Sequence, residues 1–308
     1  MIDVVLNPAG IEDAYLACMN ECFADWGNMA LFEWCFRRPI ADRLPDLLIL
    51  REGQTLLAGS GVSYRRLQLP DSTRIDIGCM TGSWTLPAAR KRGCFSQLID
   101  ASLSVARSRG CVLLLAYVTT VNISSRRLIA SGAHLLRSAY LTSGLTAESH
   151  EAPGTVEEIV AGEPWRDQRW PEDCARYCYE PSEWIGQFVE RPGSIRVLRV
   201  NQEAFAVIES KNEFDRVLQL SSADRASYLT AMRTLQTASS ERGRRLFAYS
   251  VTAEIIQALE SFGFESTPGY VTALPADPIA ASKIASQWPS PAGSWPYGRW
   301  WVANGDRM

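Results

Sequence analysis

One stretch constrains this chain more than any other: Trp84-Thr85-Leu86-Pro87-Ala88-Ala89-Arg90-Lys91-Arg92-Gly93-Cys94-Phe95-Ser96. It reads as the end of a strand, a short basic turn with one glycine, and the start of a helix. The helix is predicted to run to about Arg109, with Phe95, Leu98, Ile99, Leu103 and Ala106 on one face. A turn feeding a helix N-terminus presents unpaired backbone N–H groups and the positive end of the helix dipole, which together favour an anion, most often a phosphate. Gly93 lets the backbone approach that anion closely, and Arg90, Lys91 and Arg92 add positive charge at the rim. The spacing matches neither the P-loop nor the dinucleotide glycine pattern.

The flanking segments give the frame. Upstream, a strand at Asp3–Leu6 precedes helices near Gly10–Ala24 and Asn28–Arg38, the second closed by Pro39. Strands come next at Leu47–Arg51, Thr55–Tyr64 and Arg74–Trp84, joined by turns at Glu52-Gly53 and at 69–72. Downstream, Arg109-Gly110 closes the helix, and 111–118 is a continuous apolar run, the mark of a buried strand. Asn122, a short helix at Ser124–Ala130, Gly132 and a strand at Ala133–Leu145 complete the set. The order β-αα-βββ-α-β-α-β implies an α+β fold with a mixed sheet, not a doubly wound one.

The second half echoes the first. Glu33-Trp34 and Arg37-Arg38-Pro39 recur as Glu183-Trp184 and Glu190-Arg191-Pro192, each before a strand, Leu47–Leu50 and Ile195–Val200. The segment 109–119 aligns without gaps to 242–252, and both lead into a short helix and a glycine, Gly132 and Gly263. A polar linker at Thr146–Glu158 separates the copies, so the domains are expected at 1–147 and 158–308. In the second copy the basic loop is replaced by 220–229, which has no glycine and carries Asp224, a residue that would repel a phosphate.

Composition narrows the function classes. The chain has 308 residues, 46% hydrophobic and 21% charged, with a net charge of −3. That balance gives no reason to expect nucleic acid. No apolar run is long enough to span a membrane, and the start lacks a signal peptide's pattern, so a cytoplasmic location is expected. Eight cysteines in so long a chain do not suggest a disulfide framework. Cys18 and Cys22, and Cys174 and Cys178, share helical faces. With only His134 and His150 present, buried thiols are expected rather than a metal site. The aromatic tail, Trp288 to Trp301, reads as a closing strand packed on the second sheet or at a domain interface; an aromatic cage is the other reading.

The basic loop, with the downstream strand, Asn122 and short helix, resembles the acetyl-CoA-binding segment of the GCN5-related N-acetyltransferases. That family's pyrophosphate loop reads Val-x-Pro-x-x-Arg-Gly-x-Gly-x-Gly/Ala. Thr85-Leu86-Pro87 stands for Val-x-Pro, Arg90 for the Arg and Gly93 for the second Gly; Lys91 replaces the first Gly and Phe95 the last Gly/Ala. The resemblance implies two tandem domains of that family's fold, each a mixed, mostly antiparallel sheet flanked by helices, the first binding acetyl-CoA and the second degenerate. It implies that the N–H groups of Arg92, Gly93, Cys94, Phe95 and Ser96 hold the pyrophosphate. Asn122 would contact the coenzyme, and the N–H of Trp84, Thr85 or Leu86 would face the thioester oxygen where the strands splay. The family's tyrosine acid falls at Ile129, so it is missing. Asp76 is the first candidate base and Glu21 the second, with Tyr117 or Cys79 as acid and the carboxylate of Met308 as a further base. The implied function is acyl transfer from acyl-CoA to an amine or hydroxyl of a small metabolite, by a monomer or homodimer with no membrane or nucleic-acid partner. The alternative is a non-catalytic acyl-CoA-binding or regulatory protein.

Overall fold

A computed structural model describes residues 2–145, 154–160, 174–202, 204–287 and 300–307. The chain folds as two compact units. Among the described residues the first takes 2–136 and 270–287, and the second 137–269 and 300–307. The elements in chain order begin with β1 (Asp3–Leu6), α1 (Glu12–Phe23), α2 (Met29–Phe36), β2 (Asp46–Glu52), β3 (Thr55–Gln68) and β4 (Arg74–Thr85). They continue with α3 (Cys94–Ser108), β5 (Leu113–Thr119), α4 (Ile123–Ala130), β6 (His134–Ser143), β7 (Val156–Glu158), β8 (Ala175–Cys178) and α5 (Pro181–Phe188). The rest are β9 (Ser194–Val200), β10 (Ala204–Lys211), β11 (Phe214–Ser221), α6 (Arg225–Glu241), β12 (Arg245–Ser250), α7 (Ala253–Ser261), β13 (Phe264–Pro275), α8 (Pro278–Gln287) and β14 (Trp300–Trp301). This is the mixed, mostly antiparallel α+β architecture expected from the sequence, built twice.

In the first unit the strands run β1-β2-β3-β4-β5 and then the 270–275 part of β13. In the second they run β7-β9-β10-β11-β12 and then the 137–143 part of β6. Strand for strand, the two orders correspond. In each the fourth and fifth strands are parallel, β4 with β5 and β11 with β12. The ladders β1–β2, β2–β3, β3–β4, β7–β9, β9–β10, β10–β11 and β6–β12 are antiparallel. Each copy therefore ends on a strand from the other half of the sequence. Thr272 Oγ1 donates to Ala116 O at 3.2 Å and Ala276 N–H to Val112 O at 2.9 Å, so this late segment braces β5.

The expected division into 1–147 and 158–308 does not match these units. Residues 137–143 pair with β12, from Ala139↔Ser250 to Thr142↔Phe247, and 270–287 pack in the first unit. The expected linker at 146–158 is also partly ordered: Val156–Glu158 forms a strand on β9, while 146–153 lie outside the described residues. The aromatic tail falls outside them from 288 to 299. Trp300 and Trp301 are buried and pair in parallel with Ala175 and Arg176, which is the closing-strand arrangement within the second unit.

Apolar burial fixes both faces of the first sheet. On one face Leu98 and Ile99 of α3 and Leu128 of α4 pack against Leu48, Val62 and Leu114, with Leu274 and Ala276 joining from the late segment. On the other, α1 and α2 bring Tyr15, Met19, Phe32 and Phe36 against Trp84. Tyr15 makes edge contacts with Phe32, Phe36 and Trp84 at centroid distances of 5.4–5.8 Å. Asn28 starts α2 by accepting the Leu31 N–H at 3.1 Å.

The repeated Arg-Gly pair has a structural role. Arg109, at the end of α3, grips the buried Asp46 through two hydrogen bonds of 2.9 Å, and Asn7 and Tyr64 donate to the same carboxylate. Its repeat partner Arg242, at the end of α6, grips the buried Asp215 at 2.6 Å, joined by Arg244 at 2.8 Å, Arg196 at 3.3 Å, Ser210 and Ser239. Burial raises the Asp215 pKa, but the bonds from Ser210, Arg242 and Ser239 outweigh it and hold the carboxyl at about 2. Its ionised form therefore stabilises the fold above the ordinary 3.8, and that contribution, about 2 kcal/mol, is lost as pH falls through 2. Asp215→Asn should cost about 3–5 kcal/mol at neutral pH by leaving three guanidinium groups without their carboxylate. Urea denaturation at pH 7 and pH 2.5 should show that loss shrinking in acid.

Candidate functional site

The parallel ladder between β4 and β5 is short: Ile77↔Leu113, Gly78↔Leu114 and Cys79↔Leu115. Beyond it the strands part. A bulge lies just past that point, because Gly59 faces Trp84 but Gly61 faces Thr81, so Gly82 and Ser83 stand opposite Ser60 alone. Gly82 takes a left-handed φ of +57°, and a Cβ there would lie 2.9 Å from Met19 and 3.0 Å from Phe36. The conformation and the close approach together favour glycine there.

A cavity of about 640 Å³ opens where the strands part. Met80 through Thr85 on one side and Ala116, Tyr117 and Val118 on the other form its inner walls, apart from Thr81. Leu86 donates its N–H to Leu57 O of β3 at 3.0 Å. Strand alternation then turns the Thr85 N–H to the opposite edge, towards the space that β5 has left. Of the three amides expected to face a thioester oxygen, Thr85 is the one so placed.

The outer end of the cavity is formed by Arg90, Lys91, Gly93, Cys94, Phe95 and Ser96. Gly93 is the N-cap of α3 with φ +77° and makes no side-chain cap. The first intrahelical bond is from Gln97 N–H to Gly93 O, at 3.2 Å, which leaves the preceding amides to an outside acceptor. Arg90 and Lys91 have no carboxylate partner among the described residues. Arg92 is different: it is tied to Glu52 by hydrogen bonds of 3.0 and 3.1 Å, and its side chain is not part of the wall. It anchors the loop to the β2–β3 turn. Asn122 lines the cavity from the opposite wall; its Oδ1 caps α4 by accepting the Ser124 N–H at 3.1 Å, leaving its amide NH₂ for a ligand.

Two sequence expectations change here. Asp76 is not brought to the cavity. It lies four residues before Met80, about 13 Å along the strand, and is held by Arg43 at 2.9 Å. Cys79 is buried within the ladder and is likewise absent from the walls. Glu21 is exposed on α1 beside Cys22 and Phe23, which do line the cavity. Met308 lies outside the described residues. Sequence reading missed Ser83, Cys22, Phe23 and Arg127. The Cys22 thiol donates to Thr85 O at 3.4 Å, and burial raises its pKa, so it is a neutral thiol.

The second unit shows the same place closed. The β11–β12 ladder also stops after three pairs, Phe214↔Arg245 to Arg216↔Phe247. Beyond it, only about 20 Å³ remains, because Trp301, Val302, Ala303 and Asn304 sit against Val217–Leu220 and Ala248–Val251. The α6 N-terminus is satisfied internally: Asp224 accepts the Ser227 N–H at 2.8 Å, and that backbone bond lowers its pKa. The groove and the anion position are both filled by the chain itself. Among the described residues no cluster of three metal-ligating side chains occurs, and no helix is long and apolar enough to cross a membrane.

Lys91 also has a left-handed backbone, with φ +65°, at the position where the resembled loop has its first glycine. That conformation costs roughly 1 kcal/mol for a side-chain-bearing residue. Lys91→Gly should therefore stabilise the chain by about that amount in urea denaturation. Gly93→Ala should cost a similar amount through the backbone alone, since no atom lies within 4 Å of its added Cβ.

No protein-family model matches the sequence, and no curated protein does. Solved structures do match. A GCN5-related N-acetyltransferase from Anabaena variabilis is 10% identical, with a TM-score of 0.66 over 92% of this chain and 75% of that one. A second, from Kribbella flavida, is 16% identical, with a TM-score of 0.58 over 94% and 76%. A tandem protein of this fold from the clavulanic acid biosynthesis pathway is 12% identical, with a TM-score of 0.61 over 90% and 99%. The chain has the tandem GCN5-related N-acetyltransferase fold.

Proposed function

We propose that this protein is an acyltransferase that moves an acetyl or other short acyl group from acyl-CoA to an amine or hydroxyl of a small metabolite, through a ternary complex. The observation that carries this is the convergence on one cavity of an uncapped helix N-terminus, cations without carboxylate partners and a strand edge with a free amide. The three match the coenzyme's chemistry: a pyrophosphate for the Gly93–Ser96 amides with Arg90 and Lys91, an amide-rich arm for the parted strands, and a thioester oxygen for the Thr85 N–H.

The residues then divide the work. Thr85 donates to the oxygen as charge develops on it. The attacking amine must lose a proton, and Glu21, at the solvent-facing end of α1, takes it through water. The leaving thiolate has a pKa of about 8.5, by analogy with cysteine, so it needs little help. Tyr117, on the cavity wall, supplies its proton. The helix amides and the cations hold the coenzyme in register and take no part in proton transfer.

A second reading, acyl-CoA binding without turnover, is favoured by one observation: Ile129, where the family's acid would stand, is 45% exposed and off the cavity wall. Assaying acetyl-CoA turnover against a panel of amines and alcohols separates the two. Gly93→Asp should raise the acetyl-CoA Kd at least tenfold in calorimetry, by placing a carboxylate among the phosphate's donors. Glu21→Gln and Tyr117→Phe should each lower kcat, by roughly 10²-fold for Glu21, with the Kd kept. Coenzyme binding with no turnover on any acceptor selects the second reading.

A further inference from the structure

The α3 side of the cavity offers backbone amides, Arg90 and Lys91, and so approaches an anion from one direction. The opposite wall is α4, whose Ser124, Arg127 and Leu128 recur at helical spacing and face the cavity together. Leu128 is buried in the core and fixes the rotation of the helix. The start of the helix is fixed too: Asn122 accepts the Ser124 N–H, and Ser125 Oγ donates to Asn122 O at 2.7 Å. Arg127 is thus held on a short rigid support, with its side chain at the cavity.

Several other arginines of this unit are committed elsewhere. Arg92 is spent on Glu52, Arg43 on Asp76, Arg109 on Asp46, and Arg107 on the Ala276 carbonyl at 2.6 Å. Arg127 has no carboxylate among the described residues. A guanidinium that lines a cavity beside an open helix N-terminus suits a phosphate, which its planar fork can meet with two hydrogen bonds.

We propose that Arg127 binds the pyrophosphate of the acyl-CoA from the α4 side, closing a two-sided clamp with the α3 N-terminus; this rests on the acyl-CoA reading. The proposal commits Arg127 to the pyrophosphate, the same anion the α3 amides would hold, and not to the ribose 3′-phosphate.

Calorimetry with CoA and with 3′-dephospho-CoA, which keeps the pyrophosphate, tests it on the full chain. Arg127→Gln should weaken both ligands by the same factor, about tenfold or more, and flatten the salt dependence of binding. Arg127→Lys should recover part of the loss. Arg126→Gln, at the neighbouring residue off the cavity wall, should change neither. Unfolding curves confirm that the exposed substitutions leave the fold intact. An Arg127→Gln protein that loses affinity for CoA alone overturns the proposal, because the side chain then reads the 3′-phosphate. Unchanged affinity for both ligands overturns it as well. If Gly93→Asp still weakens CoA in either case, the acyl-CoA reading stands and only the clamp falls; if the wild-type chain binds neither ligand, both fall.

Discussion

The early end of the β4–β5 ladder is the constraint on which the rest of the structure depends. Parallel strands that stayed paired would fill the space that is now the cavity and would consume the Thr85 amide in a ladder bond. The bulge at Gly82-Ser83 reshapes β4 just past that end, where Met19 and Phe36 pack close over a residue that has no side chain. The helix N-terminus of α3 stands over the resulting opening. A backbone irregularity on one face of the sheet thus sets the chemistry available on its edge.

The second unit has the same parting of strands and none of the vacancy. Its own residues provide the carboxylate at the α6 N-terminus and the apolar filling between β11 and β12. The filling is well held: Gln187 donates to Gly305 O at 2.7 Å, Tyr179 donates to Asp306 at 2.8 Å, and Tyr228 packs edge-on to Trp301. A splayed sheet that binds nothing would expose backbone groups and apolar walls, so the copy without a loop needs a resident. The arginine at the end of each long helix was retained in both copies, where it neutralises a buried aspartate, though on different strands, β2 in one and β11 in the other.

The fold was legible in the sequence because its signals are local. The continuous apolar run at 111–118, the amphipathic α3 and the Gly110 that closes it each lie within a few residues, and the repeat could be read from Arg109-Gly110 against Arg242-Gly243. The basic turn that feeds α3 was legible for the same reason. The features that were missed are long-range. Asp76 has the right chemistry, but nothing near it shows that Arg43, thirty-three residues earlier, holds it at the wrong end of the strand. Cys22, Phe23 and Arg127 join the cavity from helices whose apolar periodicity gives no hint of a shared space. Lys91 was read as a departure from the glycine pattern; the backbone at that residue still adopts the glycine-like conformation, at a cost the side chain bears.

The exchange of closing strands has a consequence for how the chain is made. The first unit needs Leu274 and Ala276 to finish its core and the 270–275 strand to cover β5. Translation delivers these roughly 140 residues after the unit's earlier part, a delay of about 7–28 s at ordinary elongation rates of about 5–20 residues per second. Throughout that interval the nascent first half carries an uncovered strand edge beside its cavity, an invitation to wrong pairing. The cavity's lining residues all precede residue 129 and are made early, so the site waits on the late strand for the support of its sheet and not for its walls.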